Sequence, residues 1–227
     1  MADPVTRPVV FLDFDGTITR QDATDALLEA FADPRWLDVE TAWKNGRIGS
    51  RECLTAQMAL VDATRGDVDA VLDGIEVDGS LVPLIAACAA RRVRVHIVSD
   101  GFDYCIRRIL SRPALRLAPY LERVEIVSSH LDSTGRRWTA SFPFAAASCV
   151  HGCGTCKPAA MARLNPEGRP TIFVGDGLSD RFAAACATRV FAKNALAAYC
   201  AEQRIAYTFY DNLGEIAAQL DQEKVTL

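Results

Sequence analysis

Hydrophobic and polar positions along the chain alternate between two periods. A four-residue apolar run, Val9 to Leu12, reads as a buried strand, and it ends in Asp13-Phe14-Asp15-Gly16. Between about Asp22 and Ala70 the spacing turns helical, as in Ala26, Leu27, Ala30, Phe31 and again in Cys53, Leu54, Met58, Val61. Pro34, Gly46, Gly49 and Gly66 break that stretch into several helices. Leu81 to Ala90 predicts a helix, Val93 to Val98 a second buried strand, and Ser99-Asp100-Gly101 a turn leading into a helix from about Phe102 to Leu110. A strand follows at Val124 to Ser128, then a hairpin or irregular excursion from Leu131 to Phe144. The remainder reads helix (Lys157 to Leu164), strand (Thr171 to Val174), helix (Leu178 to Ala187), short strand (Arg189 to Ala192), helix (Ala195 to Gln203), edge strand (Tyr207 to Phe209) and helix (Asn212 to Glu223). Strands alternating with helices predict an α/β fold, a Rossmann-like doubly wound parallel sheet with a helical insertion after its first strand.

Composition narrows the function classes. With 227 residues, half of them hydrophobic, the chain is long enough for a full core. Its 25 basic and 29 acidic residues give a net charge of -4 and no basic tract suited to nucleic acid. No apolar stretch approaches the roughly 20 residues of a membrane span, and no signal-like segment opens the chain, so a soluble cytoplasmic protein, monomer or homodimer, is expected. Eight cysteines in a chain of this length argue for reduced thiols. Cys53, Cys88, Cys105, Cys186 and Cys200 sit singly in apolar or helical patterns, where cysteine behaves as a small hydrophobe. His96 and His130 read as packing or surface residues.

In a doubly wound sheet, ligands bind outside the carboxyl ends of the strands, and Asp13, Ser99 and Asp176 all fall at such ends. Strand alternation would send Asp13 and Asp15 to one side, and Asp176 and Asp180 in G-D-G-L-S-D would join them from a neighbouring strand. A carboxylate can attack phosphorus if positive groups neutralise the repulsion, which makes Asp13 the candidate nucleophile and Asp15 the candidate acid and base. Asp13, Asp176 and the backbone carbonyl of Asp15 form an oxygen-only set that suits Mg2+. Asp180 would orient the metal's waters or Lys157 from behind. Ser99, the N–H groups of Asp100 and Gly101, and Lys157 would hold a phosphate.

The order D-F-D-G-T-I-T, I-V-S-D, C-K-P, G-D-G-L-S-D resembles the four motifs of the haloacid dehalogenase superfamily of aspartate-nucleophile phosphatases over about residues 9 to 180. The resemblance implies a catalytic core at 1–17 and 81–227, a mobile helical cap at 18–80, a small phosphorylated metabolite as substrate and Mg2+ as cofactor. A cap at this point looks like the phosphoserine phosphatase branch. Within it, the D-F-D-G-T-I-T, W-K-N-G-R-I and C-G-T-C-K-P stretches are most similar to the methionine-salvage phosphatases, which act on the 1-phosphate of a methylthio diketo-pentane or its enol. Departures bear on the substrate. Asp100 stands where many phosphoserine-type enzymes carry glycine. Asp22 can serve as the cap acid of that branch, but Thr55 and Gln57 lie where its arginine is wanted, with Arg51 and Arg47 nearby, which favours a neutral or keto substrate over phosphoserine or a phosphoamine such as phosphocholine or phosphoethanolamine.

Cys149, His151, Cys153 and Cys156 crowd into eight residues just before Lys157. Tetrahedral Zn2+ holding the loop that aims Lys157, free thiols, and a redox-active disulfide are all open readings. A non-catalytic metal-binding or regulatory module, with this cluster as its working part, is the alternative of another class.

Overall fold

A computed structural model describes residues 7–222. Seven strands form one sheet in the order β4-β3-β2-β1-β5-β6-β7. In chain order they are β1 (Val9–Leu12), β2 (Arg94–Phe102), β3 (Glu125–Thr134), β4 (Arg137–Ser141), β5 (Thr171–Gly175), β6 (Arg189–Ala192) and β7 (Thr208–Phe209). All neighbours pair in parallel except β3 and β4, which close an antiparallel hairpin. The excursion expected over 131–144 is therefore a continuation of β3 and its return strand, turning at Gly135 with φ +64°.

The central strand shows why its residues are all apolar. Val10 and Leu12 belong to the core on one face of the sheet, Val9 and Phe11 to the core on the other, and all four have 0% exposure. Helices α5 (Leu81–Ala90), α6 (Asp103–Leu110) and α11 (Leu213–Gln222) supply the first face. Helices α8 (Lys157–Leu164), α9 (Arg181–Cys186) and α10 (Asn194–Gln203) supply the second. The last helix was expected to reach Glu223, which lies outside the described residues. A short helix, α7 (Ala118–Leu121), sits between α6 and β3.

Between β1 and α5 the chain forms α1 (Ala23–Phe31), α2 (Trp36–Lys44), α3 (Ser50–Met58) and α4 (Arg65–Gly74). Two of these starts, those of α1 and α4, are capped by side chains. Asp22 accepts hydrogen bonds from the N–H groups of Thr24 and Asp25, and Thr64 with Asp67 makes a reciprocal capping box. The insertion leaves and returns side by side, Asp78 N–H donating to Ile18 O and Arg20 N–H to Glu76 O. It is not a detached body. Leu27, Leu28, Met58, Val68 and Leu72 share the apolar cluster of the sheet's first face, and Trp138 on β4 donates its indole N–H to Ala63 O at 2.9 Å.

Two sequence expectations need correction. The second strand does not end at Val98. It continues to Phe102 through an irregularity in its pairing with β3, so α6 starts at Asp103 and the N–H groups of Asp100 and Gly101 do not open a helix. Cys186 is exposed, whereas Cys53, Cys88, Cys105 and Cys200 are buried, as small hydrophobes are. His96 is buried against the Phe11 ring, and His130 is a surface residue whose Nδ1 lies 2.8 Å from Asp103.

Candidate active site

Register brings the site together. Leu12 pairs with Ile97 on one side and with Val174 on the other, so Asp13, Ser99 and Asp176 emerge at one edge of three adjacent strands. Asp13 N–H still donates to Val174 O at 2.9 Å, which extends the ladder one residue past β1 and fixes the carboxylate's position.

Lys157 is the hub. It is the first residue of α8, 1% exposed, and its Nζ lies 2.8 Å from Asp13 Oδ1, 2.5 Å from Asp180 Oδ1 and 3.3 Å from Ser179 Oγ. Burial disfavours its charge, but the Asp13, Asp180 and Asp100 carboxylates outweigh that and hold it protonated well above the ordinary lysine range. Asp180, fully buried, turns its other oxygen to the N–H groups of Asp176 and Gly177 at 2.9 and 3.0 Å. Asp180 therefore braces both Lys157 and the turn that carries Asp176.

Asp176 is itself held on two sides, by Thr17 Oγ1 at 3.1 Å and Asn194 Nδ2 at 3.3 Å. Tyr210, 0% exposed, donates its hydroxyl toward Thr17 Oγ1 at 3.3 Å behind this pair. Gly16 turns with φ +73°, and a Cβ there would fall 2.7 Å from the Asp176 carboxyl carbon, so only glycine lets the two loops close. Thr17, Asn194 and Tyr210 were not nominated from sequence. Thr17 sits inside D-F-D-G-T, but the other two carry no local signal.

Carboxyl oxygens of Asp13, Asp176 and Asp180 all lie within 4.8 Å of one another, the one such ligand group among the described residues. Burial, then the charge of Asp180, pushes Asp13 well above the usual carboxylate range despite Lys157. The same two causes push Asp176 up to about 6. Asp13 and Asp180 share the Lys157 ammonium while Asp176 lies beside them outside that ion pair, and the donors are all hard oxygens. The residues present therefore fit a divalent cation of the Mg2+ type.

Asp15 faces the other way, toward the insertion. Its Oδ1 accepts the N–H of Ala23 at the start of α1 at 2.8 Å, and burial followed by the nearby Asp22 charge raises its pKa well above the ordinary value. Ser99, 1% exposed, accepts the Gly101 N–H at 3.0 Å, so that donor is already used and the serine hydroxyl proton is free to point outward. The Asp100 carboxylate turns to Thr155 N–H at 2.9 Å, in the loop before Lys157.

These groups floor a cleft of about 430 Å³. Asp13, Asp15, Ser99, Asp100, Gly101 and Asp176 line it, and Asp22 reaches it from the insertion. Lys157 and Asp180 lie beneath. Arg51 does not reach it: its side chain lines a separate hollow with Thr55 and Phe142, because the first turn of α3 is pinned by Arg51 N–H donating to Gly152 O at 2.9 Å. The insertion's wall is instead Glu40, Trp43, Lys44, Cys53, Leu54 and Gln57. Glu40 accepts from Gln57 Nε2 at 2.9 Å and pairs with Lys44 at 3.2 Å. Trp43 and Lys44 stand in the W-K-N-G-R-I stretch, where only helical periodicity marks their face.

The four-ligand zinc reading is not assembled. The His151 ring is stacked on Phe182, centroids 3.8 Å apart, away from a shared centre. The thiols of Cys153 and Cys156 both approach Cys149. Among the described residues, no group of three cysteine or histidine donors falls within metal-binding reach.

Residues 10–185 match the haloacid dehalogenase-like hydrolase family. The chain belongs to that family. It is 29% identical over 225 residues to the 2-hydroxy-3-keto-5-methylthiopentenyl-1-phosphate phosphatase of Brevibacillus brevis, covering 96% of this chain and 98% of that one. The protein of the same name from Bacillus pumilus is 26% identical over 221 residues, covering 96% and 93%. Among solved structures, a substrate-bound phosphoserine phosphatase superposes with TM-score 0.71 at 17% identity over 94% of this chain and 98% of the other. A phospho-aspartyl intermediate analogue of phosphoserine phosphatase superposes with TM-score 0.72 at 17% identity, over 94% and 99%. At that identity the likeness concerns the fold. No helix among the described residues is long and apolar enough to cross a membrane.

Proposed function

We propose that this phosphoric monoester hydrolase carries its phosphoryl group on Asp13, and that its substrate is a methylthio keto-pentenyl 1-phosphate or a close analogue. The observation that carries the chemistry is Lys157, buried between Asp13 and Asp180 at the floor of an open cleft. A buried ammonium and its two carboxylates together have little structural value relative to apolar side chains replacing all three, but the ammonium neutralises an incoming phosphate and aims the attacking carboxylate.

In this reading the Asp13 carboxylate attacks phosphorus as the ester P–O bond breaks, and Asp15 gives its proton to the leaving oxygen. Asp15, now ionised, takes a proton from water, whose oxygen attacks phosphorus, the Asp13 carboxylate leaves, and inorganic phosphate is released. The raised pKa of Asp15 suits the donor half of this cycle. Ser99 and Lys157 hold the non-bridging oxygens. Asp13, Asp176 and the Asp15 carbonyl would hold Mg2+, with Asp180 behind them, and the bound ion supplies charge neutralisation at the phosphate. Residues 18–80 act as the cap that shuts water out.

The substrate choice rests on the relatives' names and on the wall of the cleft. Trp43, Cys53 and Leu54 offer apolar surface for a thioether tail, neither Arg47 nor Arg51 lines the cleft to grip a carboxylate, and the cations that do line it, Arg20 and Lys44, are already paired with Glu76 and Glu40. That disfavours phosphoserine. Phosphocholine or phosphoethanolamine is the second reading, favoured by the Asp22, Asp25 and Glu40 carboxylates on the same wall. Rates with Mg2+ on the enol phosphate, O-phosphoserine and phosphocholine decide among them, and a kcat/KM highest for phosphocholine would replace the first reading. Trapping labelled phosphate on a peptide that lacks Asp13 would end the proposed chemistry.

A further inference from the structure

The thiol cluster that zinc does not explain lies on a segment with two mechanical duties. Cys156 is the residue immediately before Lys157, at the N-cap position of α8. Four residues before Cys156 the same segment seats the insertion: Gly152 O accepts the Arg51 N–H at 2.9 Å, and the Gly49 and Gly152 backbones meet with no space for a side chain between them. Asp100 ties the middle of the segment to the phosphate corner through Thr155 N–H. His151, stacked on Phe182 of α9, anchors its outer end.

Cys149 is the focal thiol of the three. Its sulfur accepts the backbone N–H groups of His151 and Cys153 and the thiols of Cys153 and Cys156. Burial pushes Cys149 up, but those donors outweigh it and leave its pKa below the ordinary thiol value, while Cys153 is pushed up to about 12. Cys149 and Cys156 are partly exposed, Cys153 is buried, and neighbouring Val150 is 88% exposed, so solutes reach the first two. A thiolate-prone, accessible cysteine with a thiol donating to it is the arrangement of an oxidant-responsive pair.

We propose that Cys149 and Cys156 are a modification site for hydroperoxides, closing a disulfide that detunes the active site by drawing the loop away from Lys157 and from the seat of α3. The Cys149 thiolate attacks one peroxide oxygen, the O–O bond breaks, and the other oxygen leaves as an alcohol or water after taking a proton. Sulfur is oxidised by two electrons to the sulfenic acid and the peroxide is reduced. The Cys156 sulfur then attacks Cys149 sulfur, the S–O bond breaks, and hydroxide leaves with the Cys156 proton as water.

The test exposes the full chain, with Mg2+ present, to hydrogen peroxide, followed by peptide mapping and by turnover of p-nitrophenyl phosphate. A Cys149–Cys156 linked peptide is the expected main product, with turnover reduced roughly 10-fold or more, the scale that small misplacement of a positioning group brings. Dithiothreitol removes the link and restores turnover. Cys149→Ser abolishes the link and keeps turnover under peroxide, Cys186→Ser behaves as the unaltered chain, and Cys156→Ser leaves a sulfenic acid on Cys149 that dimedone traps. Oxidation centred on Cys186, or a Cys149–Cys156 bond that leaves turnover unchanged, overturns the proposal. Mapping needs no catalysis, so its result stands apart from the phosphatase reading.

Discussion

The two walls of the cleft are built on opposite principles. On the sheet side, Lys157 and Asp180 are buried almost completely, and each polar atom has a partner fixed by backbone register. On the insertion side, Lys44 is 60% exposed in its side chain, and its one ion pair, with Glu40, spans a single helical turn. Interactions in the first set are desolvated and costly to break, while those in the second are solvated and replaceable. On the proposed function, chemistry would sit where geometry is over-determined, and substrate selection where a residue can change without endangering the fold.

The largest test of that contrast is Asp13→Asn. It keeps the shape and removes the proposed attacking oxygen, so p-nitrophenyl phosphate turnover should fall by about 10⁴-fold or more while circular dichroism is unchanged. Residual turnover within tenfold of the parent would move the nucleophile elsewhere. Lys157→Met strands two buried carboxylates and should lower unfolding free energy by about 3–5 kcal/mol in urea titrations. A loss under about 1 kcal/mol would place Lys157 with the dispensable wall.

Chelation probes the same side. Removing Mg2+ should abolish turnover reversibly, and saturating Mg2+ should raise Tm by roughly 5–10 °C at neutral pH. The sign with pH follows from Asp176, raised from 3.8 to about 6 in the metal-free protein. The folded state then holds a proton that the unfolded state has lost, so this group's contribution to metal-free stability declines as pH rises from about 4 to 6. If Asp176 is a ligand of Mg2+, protons compete with the ion for it, and the Tm gain from Mg2+ should widen between pH 5 and 7. A constant gain across that range would remove Asp176 from the ion's ligands. The smallest effect belongs to Lys44→Met: a change in KM of no more than about fivefold with kcat intact, since an exposed pair is worth about 1 kcal/mol at most. A collapse of kcat there would erase the distinction between the walls.

The same distinction governed what could be read in advance. Val9 to Leu12, the Gly16 turn and the acids at strand ends are legible because burial on both faces and a positive φ each restrict the residues allowed. The strand ladder then carries Asp13, Ser99 and Asp176 to one edge. Arg51 was a misplacement: helical spacing marks its face, but the hydrogen bond from its N–H to Gly152, made across 101 residues of sequence, turns it into another hollow. The continuation of β2 past Ser99 was equally hidden, since a break in pairing register depends on the partner strand. Asn194 and Tyr210 reach Asp176 and Thr17 only through the fold's return, and no local pattern foretells that.

Placing β1 at the centre of the sheet has a consequence for synthesis. The strand made first needs β2 on one side and β5 on the other, and β5 begins only at Thr171. Until the ribosome has released that stretch, Val9 to Leu12 stay half-paired and sticky, and Thr17 waits 159 residues for Asp176. Such non-local closure is slow and exposes apolar surface in the interim, so truncations ahead of β5 should aggregate.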